Sequence, residues 1–186
     1  MASIEEPDAV PVWKDIGRHS SNCATSYGGP VRHHDVDRDS RRSVGVADRR
    51  LQARDSNSMI LHELYFDGLG GGATPSGALA DAIANDFGSV DRWRTEFSAM
   101  GKAIGGGSGW VLLTYSPRDK RLLNQWASDH TTTLAGGRPI LALDMFEHSY
   151  HIDYGAKSAV HVDAFLNVIR WDNPAKPYDR YSREAS

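Results

Sequence analysis

The stretch Leu141-Ala-Leu-Asp-Met-Phe-Glu-His-Ser-Tyr150 decides how this chain of 186 residues folds. The apolar run Ile140–Leu143 predicts a buried strand that ends at Asp144. His148 follows four residues later, where the pattern becomes helical, and residues four apart on a helix have Cβ atoms roughly 5–6 Å apart. A carboxylate and an imidazole at that spacing can bind one metal ion through bonds of about 2 Å. In the simpler interpretation, Asp144 pairs with His148 or caps the helix.

The length and composition indicate a globular chain of one domain, or of two small domains that share an interface. The single cysteine, Cys23, excludes an internal disulfide framework and suits a reducing compartment. A formal net charge of −3 argues against a dedicated nucleic-acid binder. Neither a secretory signal nor a run of about 18 apolar residues is present, so we expect a cytoplasmic protein that does not span a membrane.

The pattern of apolar residues divides the chain near residue 56. Residues 35–56 alternate arginine and aspartate and show neither a helical nor a strand period, so this stretch can bury little surface. We therefore expect residues 1–56 to be a degenerate, partly disordered N-terminal segment with short helices. Residues 57–181 are expected to form the folded, site-bearing domain, and 182–186 a tail.

Residues 57–181 carry clear signals for helices and strands. The predicted strands are Trp110–Tyr115, Arg121–Trp126 and Ile140–Leu143. Four helices are predicted, and the first is Met59–Phe66. The second has Thr74 as its cap, Pro75 at its first position and an apolar stripe of Leu79, Ile83 and Phe87, and the third has Ser89 as its cap and a stripe of Trp93, Phe97 and Met100. The fourth is Ala159–Trp171, with Val160, Ala164, Phe165 and Val168 facing inward. Helices that precede a small three-stranded antiparallel sheet flanked by helices give an α+β fold.

Two further histidines are candidates for a site. His62 lies in an apolar helix, where a histidine is either a hydrogen-bonded core residue or a ligand. His130 follows Asp129 in the loop between the second and third strands. The glycine runs at 70–72 and 105–107 resemble phosphate-binding loops, but no Gly-Lys-Ser/Thr follows them, and they are interpreted as turns.

Five short blocks, in this order, resemble the iron/manganese superoxide dismutases. The resemblance extends from about Asn57 to Tyr181 and corresponds to the C-terminal domain of that family. The blocks are His62 to Phe66 (His-x-x-x-Phe), Asp86 to Ser89 (Asp-Phe-Gly-Ser), Gly107 to Trp110 (Gly-Ser-Gly-Trp), Asp144 to Tyr150 (Asp-x-x-Glu-His-x-Tyr) and Asn167 to Asp172 (Asn-Val-x-x-Trp-Asp).

The resemblance implies a role for each candidate residue. His62, Asp144 and His148 correspond to three protein ligands of a single metal ion. Trp110 corresponds to an aromatic wall of the metal pocket, and His130 to a catalytic residue that is hydrogen-bonded to solvent on the metal. Glu147 corresponds to a residue that reaches the ligand histidine of a partner subunit, which implies a homodimer or a higher homo-oligomer.

The function implied is conversion of superoxide to dioxygen and hydrogen peroxide by a metal-dependent oxidoreductase. Imidazole and carboxylate ligands suit iron or manganese, and the absence of thiolates among them disfavours structural zinc and iron–sulfur clusters. We expect one ion per subunit, with iron slightly favoured. The sequence does not distinguish the two metals, because selectivity depends on groups around the ligands.

The first 56 residues depart from the family pattern. The family's fourth ligand is a histidine of its first helix, and counting back from Tyr27-Gly28-Gly29 places Asn22 at that position, with His19 one helical turn away. This departure motivates an alternative, a member without enzyme activity that serves as a dimerising or partner-binding scaffold. A third possibility is a non-haem iron oxygenase, which also uses two histidines and a carboxylate.

Overall fold

The computed structural model describes residues 38–72, 74–105 and 107–185, with side chains from Leu51 onward. The chain divides into two units, Met1–Arg42 and Ser43–Ser186. The helices of the described part are α1 (Arg38–Asp67), α2 (Gly77–Phe87), α3 (Val90–Ala103), α4 (Glu147–Tyr154), α5 (Ser158–Asn167) and α6 (Asp172–Glu184), and the strands are β1 (Trp110–Ser116), β2 (Arg121–Ala127) and β3 (Arg138–Asp144). The predicted α+β class is confirmed.

The sheet brings three chemically important segments to one end. Its strand order is β2-β1-β3, and both pairs of strands are antiparallel. Trp110, the first residue of β1, is opposite Ala127 on β2 and Asp144 on β3. Because β2 and β3 both end in this row, the loop that carries His130 and the stretch that carries His148 begin at the same end of the sheet, on either side of β1. All seven residues of β1 are buried, so the central strand is a rigid base for the site.

Backbone hydrogen bonds attach the end of α1 to the connection between α5 and α6. The N–H of Arg170 donates to the carbonyl of Gly68 at 2.7 Å, and the N–H of Gly71 donates to the carbonyl of Val168 at 2.9 Å. A Cβ atom at Gly71 would lie 2.3 Å from the carbonyl oxygen of Ile169, so only glycine permits this approach. The junction fixes α1, and with it His62, against the C-terminal part of the chain.

Aromatic side chains join the helices into one core. The rings of Trp93 and Trp171 meet edge to face with centroids 5.2 Å apart, and Phe97 stacks on Phe165 at 6.4 Å. The indole N–H of Trp93 donates to the side-chain oxygen of Asn124 at 3.0 Å, which ties α3 to β2. Edge-to-face and stacked aromatic pairs contribute about 0.5–1.5 kcal/mol beyond the area that they bury.

One predicted helix end is wrong for a tertiary reason. The helix predicted at Ala159–Trp171 ends at Asn167, because the carbonyl of Val168 and an isolated bridge between Leu69 and Ile169 bind the α1 connection instead. A separate helix, α6, then begins at Asp172, which the sequence analysis did not predict.

The start of α2 and the inward face of α5 also differ from prediction. α2 begins at Gly77 after Ser76, rather than at Pro75 after a Thr74 cap. On α5, Val160 is 47% exposed, although it was predicted to face inward, and His161 and Val162 are buried in its place. The cap at Ser89 is confirmed, since its hydroxyl accepts the N–H of Arg92 at 3.0 Å.

α1 is longer than the sequence predicted. It begins at Arg38, whereas most of residues 35–56 were expected to lack order. Its described side chains between Leu51 and Ser56 are exposed, in agreement with a stretch that buries little surface. The proposed division at residue 56 falls inside this helix, and the division itself stays a prediction. No described helix has the length and apolarity that crossing a membrane requires.

The orientation of α5 is tested by two valines of the same helix. Val162 is fully buried and packs where a Cβ at Gly101 would come within 3.0 Å of its side chain, whereas Val160 is 47% exposed. Val162→Ala should lower the free energy of unfolding by about 2–3 kcal/mol, because it removes two buried methyl groups and leaves a cavity. Val160→Ala should change it by about 0.5 kcal/mol or less. Urea denaturation measures both, and equal losses would contradict this orientation of α5.

Candidate metal centre

Three elements bring His62, Asp144 and His148 together. His62 lies on the last turns of α1, Asp144 is the last residue of β3, and His148 is the second residue of α4. The Nε2 atom of His148 lies 3.1 Å from Oδ2 of Asp144, and Nε2 of His62 lies 3.5 Å from the same oxygen. The two Nε2 atoms are 3.4 Å apart. Asp144 thus meets His148 from the end of a strand, not from the same helix as the i, i+4 spacing suggested.

These separations suit ligands of one ion. Atoms bonded to a metal at about 2.1 Å with angles of 90–120° lie roughly 3.0–3.6 Å from one another. In the described part of the chain, one group of three or more histidine, cysteine or carboxylate side chains has this convergence, and it consists of these three residues. Two neutral imidazoles and one carboxylate are a donor set that first-row transition metals accept.

Hydrogen bonds engage one carboxylate oxygen and the main-chain carbonyl of Asp144, and the other carboxylate oxygen faces His62 and His148. The residue is 1% exposed. Its Oδ1 atom accepts the N–H of Phe146 at 2.8 Å, and its main-chain carbonyl accepts the hydroxyl of Ser149 at 2.9 Å and Nε2 of His161 at 3.0 Å. Since Oδ1 is already engaged, Oδ2 is the oxygen left for the imidazoles or for a cation.

His62 has the tautomer that a metal ligand needs. Its Nδ1 atom lies 2.7 Å from the main-chain carbonyl oxygen of Ser58. A carbonyl can only accept, so Nδ1 carries the hydrogen and donates it, and the lone pair of the neutral ring is on Nε2. A second group that binds the non-ligating nitrogen fixes the ring of most metal-binding histidines in this way.

His148 is the more exposed ligand. Its side chain is 60% exposed, against 27% for His62. The hydrogen bond to the Asp144 carboxylate raises the pKa of His148 above its ordinary value, because the protonated imidazole is the better donor to that carboxylate. In the metal-free protein, a proton therefore competes for the position where a cation would bind.

Trp110 and His130 form a second layer beside these ligands. The indole N–H of Trp110, which is fully buried, donates to Nδ1 of His130 at 3.0 Å. The hydrogen of the neutral His130 ring is therefore on Nε2. Burial, and then the neighbouring His62, lower the pKa of His130, so the ring is neutral at neutral pH. It stacks on Phe146 with ring centroids 5.0 Å apart.

Glu147 stands apart from this group. Glu147, the first residue of α4, is exposed and is not part of the convergent group. Asn22 and His19 lie outside the described residues, as do Cys23 and Tyr27-Gly28-Gly29.

The sequence analysis missed His161, which is 2% exposed on α5 and bonded to the Asp144 carbonyl. Burial lowers the pKa of His161, which keeps the ring neutral. A signal was present, since His161 precedes the buried Phe165 by four residues and so shares its helix face.

A cavity of about 830 Å³ opens next to the ligands. His130 and Phe146 form part of its wall, and Arg54 of α1 contributes a positive charge. Its lining residues are Leu51, Ala53, Arg54, Asp129, His130, Thr131 and Phe146. A small molecule that enters this cavity reaches the side of the site on which His130 lies.

Comparison with known proteins identifies a family. The sequence model of the iron/manganese superoxide dismutases, C-terminal domain, matches residues 75–176. An iron superoxide dismutase of Cupriavidus metallidurans is 71% identical over 120 residues, which cover 64% of this chain and 61% of that protein. A manganese superoxide dismutase of Halobacterium salinarum is 49% identical over 122 residues, 64% of this chain and 60% of that protein. One of Haloferax volcanii is 44% identical over 124 residues, 65% of this chain and 61% of that protein. The chain thus spans about six tenths of the length of these relatives.

The raised pKa of His148 predicts how pH affects the metal-free protein. A histidine whose folded pKa is raised gives stability that is fully present below the unfolded pKa of about 6.5 and is lost as the pH rises through the folded pKa. The difference in unfolding free energy between wild type and His148→Gln, after treatment with a chelator, should therefore be larger at about pH 5.5 than at about pH 8.5. Urea denaturation at both pH values measures it.

The matched control for this measurement lacks the carboxylate. In an Asp144→Asn background, the larger difference at about pH 5.5 should disappear, because the charged partner is gone and the burial that remains lowers the pKa of His148. A pH dependence that survived in that background would mean that Asp144 does not cause it.

Proposed function

The chain belongs to the iron/manganese superoxide dismutases, and from that membership we propose that it converts superoxide to dioxygen and hydrogen peroxide. The observation that carries the proposal is the convergence of His62, Asp144 and His148, whose ligand atoms lie within 4.8 Å of one another. The relatives named above each match about 64% of the chain or slightly more, and their names state this activity.

We propose that these three residues hold one iron or manganese ion per subunit. The tautomer of His62 and the engaged Oδ1 of Asp144 support this, because each leaves one lone pair directed at the common point. Iron is slightly favoured, since the relative at 71% identity is named as an iron enzyme.

An ion held by His62, Asp144 and His148 would supply one-electron redox chemistry, by which one superoxide is oxidised to dioxygen and a second, with two protons, is reduced to hydrogen peroxide. The residues of the chain supply position, polarity and protons. Trp110 fixes the tautomer of His130, so the Nε2–H of His130 is available as a hydrogen-bond donor next to the ligands. A neutral donor suits this step, because a cationic imidazole beside the ion would oppose its higher oxidation state.

The cavity beside His130 supports the approach of a small anion. Its wall carries the guanidinium of Arg54 together with the carboxylate of Asp129. Positive charge at the mouth of a cleft raises the rate at which anions are captured, and Arg54 is the residue that we propose for this role.

We further propose that the chain acts as a cytoplasmic homodimer or higher homo-oligomer. The exposure of Glu147 and of His148 supports an interface at the start of α4. A glutamate in this position can bind the ligand histidine of a second copy across such an interface.

Elemental analysis of the purified protein, together with a superoxide-consumption assay, tests the proposal. About one iron or manganese per subunit with rapid consumption of superoxide is the expected result. A folded, metal-free and inactive protein would instead support the scaffold alternative. Organic-substrate turnover without dismutation would support an oxygenase. Sedimentation velocity on the same sample gives the oligomeric state.

His148→Ala should abolish metal retention, because it removes a ligand that no neighbouring side chain replaces within the convergent group. Metal content after dialysis and dismutation rate are the measurements. His151→Ala, which changes an exposed histidine of the same helix, is the control and should keep the metal. Full metal content and activity in the His148 variant would remove this residue from the site.

His130→Ala should leave the metal bound while lowering turnover by about 10–100-fold, since the donor lies outside the ligand set. His130→Gln is the matched variant, because its amide can accept from Trp110 and still donate, and it should retain more activity. Metal content, kcat and the reduction potential of the loaded protein measure the effect. If alanine changed neither turnover nor potential, His130 would have no part in the reaction.

A further inference from the structure

We propose that His161 is a positioning residue that fixes the metal ligand Asp144 through its main-chain carbonyl. This inference deepens the proposed function and rests on it. It concerns how the chain holds its carboxylate ligand, and it assigns a task to a buried histidine that the reaction itself does not use.

The hydrogen bond has a defined direction. Nε2 of His161 lies 3.0 Å from the carbonyl oxygen of Asp144, and both residues are almost fully buried. A carbonyl oxygen only accepts, so His161 is the donor and its hydrogen is on Nε2. This bond joins α5 to the last residue of β3, seventeen residues apart in sequence.

The chain leaves the sheet at Asp144, and the peptide that follows this residue is hydrogen-bonded on both sides. β3 ends at Asp144, and the next N–H, that of Met145, donates to the carbonyl of Gly109 at 2.9 Å. The peptide between Asp144 and Met145 is therefore held at both its N–H and its oxygen. A change in the orientation of that peptide alters the backbone dihedral angles of Asp144 and so moves its side chain. Hydrogen bonds that hold the peptide therefore also fix the position of the carboxylate.

Aromatic neighbours keep the imidazole of His161 in place. Its ring centroid lies 5.7 Å from that of Tyr150, 5.9 Å from that of Tyr154 and 6.5 Å from that of Tyr65. Three rings from α1 and α4 around one imidazole restrict its rotation. The donor nitrogen thus has little freedom to leave the carbonyl, which distinguishes it from a mobile surface histidine.

Small displacements of Asp144 matter because the ligand atoms are so close together. Binding sites need their groups within about 0.5 Å of the productive arrangement. Oδ2 of Asp144 already lies 3.1 Å and 3.5 Å from the two imidazole nitrogens. A loosened peptide at the end of β3 would spread these distances, and metal affinity would fall without any ligand being removed.

The test compares two variants of similar length and volume, His161→Gln and His161→Met. Glutamine can place an N–H where Nε2 of His161 lies, whereas methionine fills the same space without a donor. Each full-length protein is stripped of metal and titrated with Mn²⁺, and the dissociation constant is measured by calorimetry. His161→Met should raise it by about 10–100-fold, and His161→Gln should recover most of that loss.

Thermal unfolding of the metal-free variants separates positioning from packing. The expected result is similar melting temperatures for the two variants with different affinities for Mn²⁺. If His161→Met bound Mn²⁺ as tightly as wild type, or if both variants lost the same affinity, the positioning role would be overturned. The wild-type chain is titrated with Fe²⁺ as well as with Mn²⁺, and a wild-type chain that bound neither ion would instead overturn the proposed function.

Discussion

A buried carboxylate at the end of a strand is the constraint on which the site depends. Asp144 is 1% exposed, and a charged group so far from water is tolerated only when its oxygens are hydrogen-bonded or bind cations. One oxygen is satisfied by the backbone N–H of Phe146, and the other is left to two imidazoles. α1, α4 and α5 each place a histidine against this residue, so its hydrogen-bonding groups connect three helices to the end of β3.

The sequence predicted the elements whose signals are local. The three strands and the Ser89 cap are confirmed, because apolar runs and side-chain capping act over a few neighbouring residues. The end of α5 could not be predicted in that way. Residues near Val168 leave the helix to bind the Gly71 segment, almost a hundred positions earlier, and no nearby residue records that contact. A tertiary hydrogen bond therefore overrides the local helix propensity at the end of α5.

The convergence of the three candidate ligands was predictable from the sequence, whereas the groups that hold them in place were not. His62, Asp144 and His148 converge as expected, although the reason is the strand-to-helix turn and not a shared helix face. His161 was missed because it binds main chain, and a carbonyl leaves no mark in the sequence. The role of Glu147 depends on a second copy of the chain and stays a prediction, as does the division at residue 56.

The three ligands come from three separate elements, and this has a consequence for stability. A cation bound to them would link α1, β3 and α4, so part of its binding free energy would become folding free energy. The structural change on binding should be small, because the candidate ligand atoms already lie 3.1–3.5 Å apart and need little rearrangement to receive an ion. The backbone hydrogen bond between Gly68 and Arg170 holds α1 at its end, near His62, and thereby helps to position that residue. Preorganisation of this kind favours affinity, because ordering of the ligands is completed during folding rather than during binding.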